Sequence, residues 1–116
     1  MLRGEIRLVD LSPVRGSEAD KRRPAVIVSN DRANSVAARL GRRMVTVVPV
    51  TSNTGRVFPF QTLLPALATG LRRDSKAQAE QVRSIAVERL GAVLGQVPSD
   101  VMAQLDDALR LHLQLG

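Results

Sequence analysis

The chain has no cysteine, no tryptophan and no tyrosine, and it carries one histidine and two phenylalanines. Without thiols there is neither a disulfide nor a thiolate nucleophile, a usage that fits the cytoplasm. One imidazole and no thiol make a poor set of zinc ligands. A nuclease mechanism built on two histidines cannot be assembled within one such chain. Base-stacking platforms usually draw on aromatic rings, and here only Phe58 and Phe60 are available. No window approaches the roughly 20 consecutive apolar residues of a membrane helix. The amino terminus, MLRGEIRLVD, lacks the long apolar segment of a signal peptide.

Cations, by contrast, are plentiful. The 116 residues include 17 Lys and Arg against 11 Asp and Glu, a formal net charge of +6. That balance favours a polyanionic partner, nucleic acid first. With 44% apolar and 24% charged residues the composition is that of a folded chain. Its length predicts one domain, residues 1–116, with a single core.

Periodicity predicts mostly strands. GEIRLVD alternates, AVIVS is an apolar run opened by Pro24, and MVTVVPVTS is β-branched and apolar enough to be buried on both faces. Pro49 inside that run predicts a bulge or an edge position. FPFQTLL resumes an alternation with Phe58, Phe60, Thr62 and Leu64 on one face, and AVLGQV reads as a last strand. LSPVRGSEADKRR and ATGLRRDS read as loops. NDRANSVAARL reads as a short helix with Asn30 or Asp31 as N-cap and Gly41 at its end. PSDVMAQLDDALRLHLQLG reads as an amphipathic helix capped by Ser99, with Val101, Leu105, Ala108, Leu109, His112 and Leu113 along one stripe. Strands dominate and few are separated by full helices, so the fold class is mainly β (α+β): a small antiparallel sheet or barrel with helices outside.

Five features come up as candidates for chemistry. Lys21, Arg22 and Arg23 precede Pro24; they are either a solvated strand end or a phosphate site, since guanidinium groups match phosphate geometry and stay charged. Thr51, Ser52 and Asn53 follow the central strand; they are either ordinary turn residues or short donors for phosphate oxygens. His112 falls on the apolar stripe of the last helix and reads as a structural or interface residue. Glu80 and Glu88 do not have the spacing of a carboxylate dyad. RGSEAD matches no known phosphate-binding loop.

In order, LVDLSPVRGSEADKRRPAVIVSND, VVPVTSN followed by VFPFQ, and AEQVRSI resemble the three signatures of the MazF/PemK toxins of type II toxin–antitoxin systems. The resemblance covers almost the whole chain. It implies an SH3-like antiparallel barrel with a C-terminal helix. It implies a cytoplasmic homodimer that cuts single-stranded RNA without metal or other cofactor, through 2′-hydroxyl attack, arresting translation and growth. It also implies a cognate MazE-like antitoxin, with DNA contacted only indirectly through that partner and no membrane. By position, Arg23 matches the catalytic arginine and Thr51 the catalytic threonine. Ser17, Gln81 and Arg83 fall in the family's substrate-contacting stretches, and Ser52, next to Thr51, is counted with Arg22 among the substrate-binding residues. The run is K-R-R-P, so Arg22 stands beside the matching arginine and could share its role, or replace it if the local backbone is rotated. The alternative on a related barrel is a non-enzymatic, CcdB-like toxin that binds a topoisomerase.

Overall fold

In the computed structural model, residues 1–11 and 22–116 are described. They form seven strands, β1 (Glu5–Asp10), β2 (Arg22–Ile27), β3 (Met44–Thr51), β4 (Gln61–Leu64), β5 (Ser75–Gln78), β6 (Arg83–Ala86) and β7 (Leu90–Gln96), with helices α1 (Asp31–Leu40), α2 (Ala66–Thr69) and α3 (Ser99–Leu113). Every strand pair is antiparallel. The order is β4-β5-β3-β2-β1-β7, with β6 also paired to β3. This is the expected mainly antiparallel class with a C-terminal helix.

β3 is central because both of its edges are used. β2 pairs along Val47–Pro49, while the opposite edge pairs first with β6, over Met44–Val47, and then with β5, over Val50–Thr51. Pro49 falls in the gap between those two ladders. Its missing N–H therefore breaks no pair on that edge, and the ladder with β2 ends at it, opposite Ala25, without a register shift; of the bulge or edge position that the sequence suggested, there is no bulge and one side of the residue is left unpaired. Pro24 is likewise not the first residue of its strand. It is the third residue of β2, opposite Leu8, at a point where the β2–β3 ladder has not yet begun.

Strand alternation sorts the core into two layers. Val26, Val48 and Val50 point to one face, where they meet Leu64, Ala77 and the inner stripe of α3, Val101, Leu105 and Ala108. Ala25, Ile27, Val45 and Val47 point to the other, where they meet Val9, Ile85 and Ala37 of α1. A strand covered on both sides needs a continuous apolar run, which is what VVPV supplies. Each fully buried aliphatic side chain such as Leu105 contributes roughly 1.5–3 kcal/mol.

The sheet curls but its end strands do not pair. β7, at one end of the path, instead comes against the turn that follows α2. A Cβ placed on Gly95 would lie 2.2 Å from the carbonyl oxygen of Thr69. The barrel is thus drawn nearly shut by backbone contact rather than by a ladder.

α1 begins and ends as its sequence predicts. Asn30 Oδ1 accepts from the Ala33 N–H at 2.8 Å, and Gly41 closes the helix at φ +63°. Buried Asn34 ties α1 to the sheet: its Nδ2 donates to Ser29 O at 2.8 Å, and Ser29 Oγ accepts from the Thr46 N–H at 3.1 Å. At α3 one expectation is corrected. Pro98 takes the cap position and Ser99 is already helical, with no side-chain capping bond. His112 and Leu113 are exposed, because the helix outruns the sheet beyond Leu109 and nothing among the described residues covers its last turn. The strand expected over FPFQTLL starts only at Gln61. The stretch before β5 contains α2, a single helical turn between Pro65 and Gly70 that the loop reading passed over.

Candidate functional site

The candidate residues gather where β2 begins and β3 ends. The β2–β3 ladder pairs Ala25 with Pro49. That is the last pair of the ladder; the same register, continued two residues beyond it, brings Arg23 across from Thr51. Directly opposed residues share a face, so the guanidinium and the hydroxyl are set on one side of the sheet. Arg23 is half-buried, and its side chain makes no hydrogen bond or ion pair among the described residues. Arg22, one residue earlier, faces the other way.

The hydroxyl of Thr51 is oriented by the turn that follows it. Thr51 Oγ1 accepts from the Asn53 N–H at 3.2 Å, and Asn53 Oδ1 accepts from the Gly55 N–H at 3.4 Å. With its lone pair engaged from behind, the Thr51 O–H is left to donate outward. Ser52 and Asn53 are exposed beside it.

The pairing of β3 with β5 adds residues that sequence reasoning missed. Lys76 lies directly opposite Thr51 and is only 7% exposed. Its Nζ donates to Arg56 O at 2.6 Å and sits 5.9 Å from the centre of the Phe58 ring. The Arg56 guanidinium lies over the same ring at 4.7 Å, and Phe58 stacks on Phe60 at 5.2 Å with the planes 3° apart. The chain's two phenylalanines thus form one column with Arg56 beside Thr51, held from beneath by a buried ammonium. The only advance sign of this was the alternation in S-K-A-Q, which puts Lys76 and Ala77 on opposite faces.

The remaining candidates divide. Arg83 opens β6 opposite Val47, so strand alternation places it on the Arg23–Thr51 face, further along β3; its side chain is exposed and makes no ion pair among the described residues. Gln81 is exposed at the end of a 3₁₀ turn, Ala79–Gln81. Glu80, in the same turn, accepts from Gln61 Nε2 at 2.6 Å, and Gln61 Oε1 accepts from the Phe58 N–H at 3.2 Å. Its carboxylate therefore braces the Phe58–Phe60 turn. Ser17 and Lys21 lie outside the described residues. No group of three or more His, Cys, Asp or Glu able to hold a metal occurs among the described residues, and no helix is long and apolar enough to cross a membrane.

Comparisons with known proteins converge on one family. The profile of the PemK-like, MazF-like toxins of type II toxin–antitoxin systems matches residues 2–113. The chain is 64% identical over 115 residues to a protein named endoribonuclease MazF9 of Mycobacterium tuberculosis, covering 99% of this chain and 98% of that one. It is 36% identical over 114 residues to endoribonuclease MazF6 of the same species, covering 97% and 96%. Among solved structures, a mycobacterial endoribonuclease in complex with its cognate antitoxin superposes with a TM-score of 0.76 at 26% identity, over 100% of this chain and 97% of that one. MazF from Deinococcus radiodurans gives a TM-score of 0.76 at 27% identity, over 99% and 97%. On sequence and on fold, the chain belongs to the PemK-like, MazF-like toxins of type II toxin–antitoxin systems.

Proposed function

We propose that the chain is the toxin of such a pair and acts, as one domain in the cytoplasm, as an endoribonuclease on single-stranded RNA without a metal ion. The observation that carries this is the β2–β3 register, which, continued two residues past Ala25–Pro49, brings Arg23 across from Thr51, with a guanidinium engaged by no carboxylate among the described residues. An arginine held beside a donating hydroxyl suits a phosphodiester whose charge grows during reaction. In the step proposed, O2′ bonds to phosphorus and the P–O5′ bond breaks. A proton leaves O2′ and another reaches O5′, giving a 2′,3′-cyclic phosphate and a 5′-hydroxyl. Arg23 stabilises the phosphorane, Thr51 donates to a non-bridging oxygen, and Ser17, Arg22, Ser52, Gln81 and Arg83 hold the flanking RNA. Arginine stays protonated in proteins, so its part is electrostatic.

The test uses a short RNA containing the cut site and its twin with one 2′-deoxy substitution there. The RNA is expected to be cut to a cyclic phosphate and the twin to survive. Arg23→Ala and Thr51→Ala should each lower kcat by about 100- to 1000-fold, the usual effect of removing one positioned donor. Cutting of the 2′-deoxy twin, or growth arrest retained by the double variant, would defeat the proposal; the latter would turn attention to topoisomerase binding.

Two partners complete the reading. An acidic, MazE-like antitoxin suits a chain of net charge +6, and DNA would be reached only through it. A homodimer would use the end of α3, where Leu111, Leu113 and Leu115 are 57%, 49% and 58% exposed. Sedimentation at micromolar concentration should show twice the chain mass.

A further inference from the structure

A cavity of about 450 Å³ opens beside the strand ends, on the opposite face of the sheet from Arg23 and Thr51. That size lies within the roughly 300–1,000 Å³ range of small-ligand sites. Its apolar lining includes Pro24, Val50 and Leu71, and its polar lining includes Ser52, Arg72 and Arg73. Pro24 and Val50 are the next pair in the register that aligns Arg23 with Thr51, shifted by one residue and therefore pointing to the other face. The cavity and the candidate catalytic pair are thus two sides of the same strand ends, one residue apart along each chain.

The loop that carries the two arginines is fixed. Gly70, at φ +84°, closes α2 and donates its N–H to Ala66 O, while Asp74 Oδ1 accepts from the Ala66 N–H at 2.8 Å. Asp74 is the one carboxylate of the loop, and it is spent on that bond. Neither Arg72 nor Arg73 has a side-chain hydrogen bond or ion pair among the described residues, and both are exposed. Two guanidinium groups carried on an anchored loop beside an apolar hollow fit a ligand with a flat apolar part and an adjoining anion.

We infer that this cavity seats one unstacked base of the RNA next to the cut, with Arg72 and Arg73 on the phosphate beyond it. The inference rests on the endoribonuclease reading. A strand whose scissile phosphate lies at Arg23 and Thr51 crosses the ends of β2 and β3, and its neighbouring nucleotide drops over to the Pro24 side. Apolar walls exclude water from the base, as sites for splayed single-stranded RNA do. Ser52, on the cavity side of Thr51, supplies a hydroxyl to a base edge. Alternation also gives Arg22 and Arg23 separate tasks, one on each side of the crossing.

Three measurements on the full chain test this. In Arg72→Gln/Arg73→Gln, the rise in KM should be about 10- to 100-fold, the usual scale for charge-assisted hydrogen bonds, and should exceed the fall in kcat. The slope of log(kcat/KM) against log salt should flatten by roughly 0.7 for each phosphate no longer neutralised. Arg39→Gln/Arg42→Gln, which removes the same charge at the end of α1, should do neither. In a scan of RNAs with single abasic positions, one position beside the cut should cost the wild type about 10-fold or more. Leu94 also lines the cavity; in Leu94→Trp, which fills it, that penalty should vanish and sequenced cut ends should lose their preference there, with sedimentation confirming an unchanged assembly.

If the wild type cuts no RNA, the endoribonuclease reading itself falls. If it cuts but the two arginine pairs behave alike, or no abasic position interacts with Leu94→Trp, the cavity inference alone is overturned. It is also overturned if the cavity variants cut normally yet escape inhibition by an acidic antitoxin, which would assign the hollow to a peptide.

Discussion

Gly95→Ala is the sharpest test of how the sheet is held shut. The added methyl would sit 2.2 Å from Thr69 O and 3.3 Å from Thr69 C. Ordinary carbon–oxygen contacts are about 3.3 Å or more, so β7 and the α2 turn must separate by about 1 Å. Both sides are backbone, so no side chain can swing away to absorb the overlap. Overpacking of this kind costs typically 1–3 kcal/mol, and the value here should fall at the upper end. At about 4–8 °C per kcal/mol for a domain near this size, the melting temperature should drop by roughly 10–20 °C. Gly41→Ala makes an informative comparison. Nothing lies within 4 Å of its Cβ, but φ is +63°, so the cost is conformational alone, about 1–2 kcal/mol. Gly55→Ala has only an ordinary 3.6 Å contact with the Asn53 side chain and serves as the neutral reference. Thermal and urea melts of the three variants should rank Gly95 below Gly41 below Gly55. If Gly95→Ala melts with Gly55→Ala, the end strands do not touch as described and the near-closed barrel is refuted.

Other perturbations isolate single contacts. Asn34→Ala should cost about 1–3 kcal/mol in a urea melt, because it strips a buried group of its bond to Ser29 O; a loss under about half a kcal/mol would mean that α1 is not anchored through it. Asn30→Ala should cost about 0.5–2 kcal/mol by removing the N-cap bond to Ala33, visible as faster amide exchange in the first turn of α1. Lys76→Met keeps the buried stem but removes the bond to Arg56 O. Amide exchange in residues 52–60 should accelerate while α3 stays protected, and unchanged exchange there would show that the ammonium does not hold that turn.

Much of the architecture was legible because it follows local rules. The alternation of GEIRLVD and the β-branched run before Thr51 point to strands that are present at β1 and β3, and Asn30 with Gly41 bounds α1 within a residue. The prolines mislead because their fate depends on partners. Pro49 is tolerated not by a bulge but by a change of neighbour along one edge, which no local pattern displays. Ser99 looks like a cap, yet Pro98 before it sets the entry and leaves the hydroxyl one residue late. His112 obeys helical spacing but lies past the point where the sheet stops. At the site, Arg23 and Thr51 came from resemblance, and their juxtaposition then followed from the register. Phe58 and Phe60 were expected on one face, but the place of Lys76 was invisible because its bond to Arg56 spans 20 residues.

The change of partner at Pro49 also divides the molecule's resistance to opening. Past that residue, β3 is joined to β5 and through it to β4 and α3; before it, the same strand is joined to β6. The two portions share β3 and its ladder to β2, yet no ladder bridges them across the Pro49 gap. Thr51 and Lys76 travel with one portion, Arg83 with the other. Local opening can therefore release the β4–β5 portion while β2, β3 and β6 stay protected. A strand of RNA spanning from Thr51 to Arg83 would stitch the portions together, so bound RNA should slow exchange in β5 more than in β1.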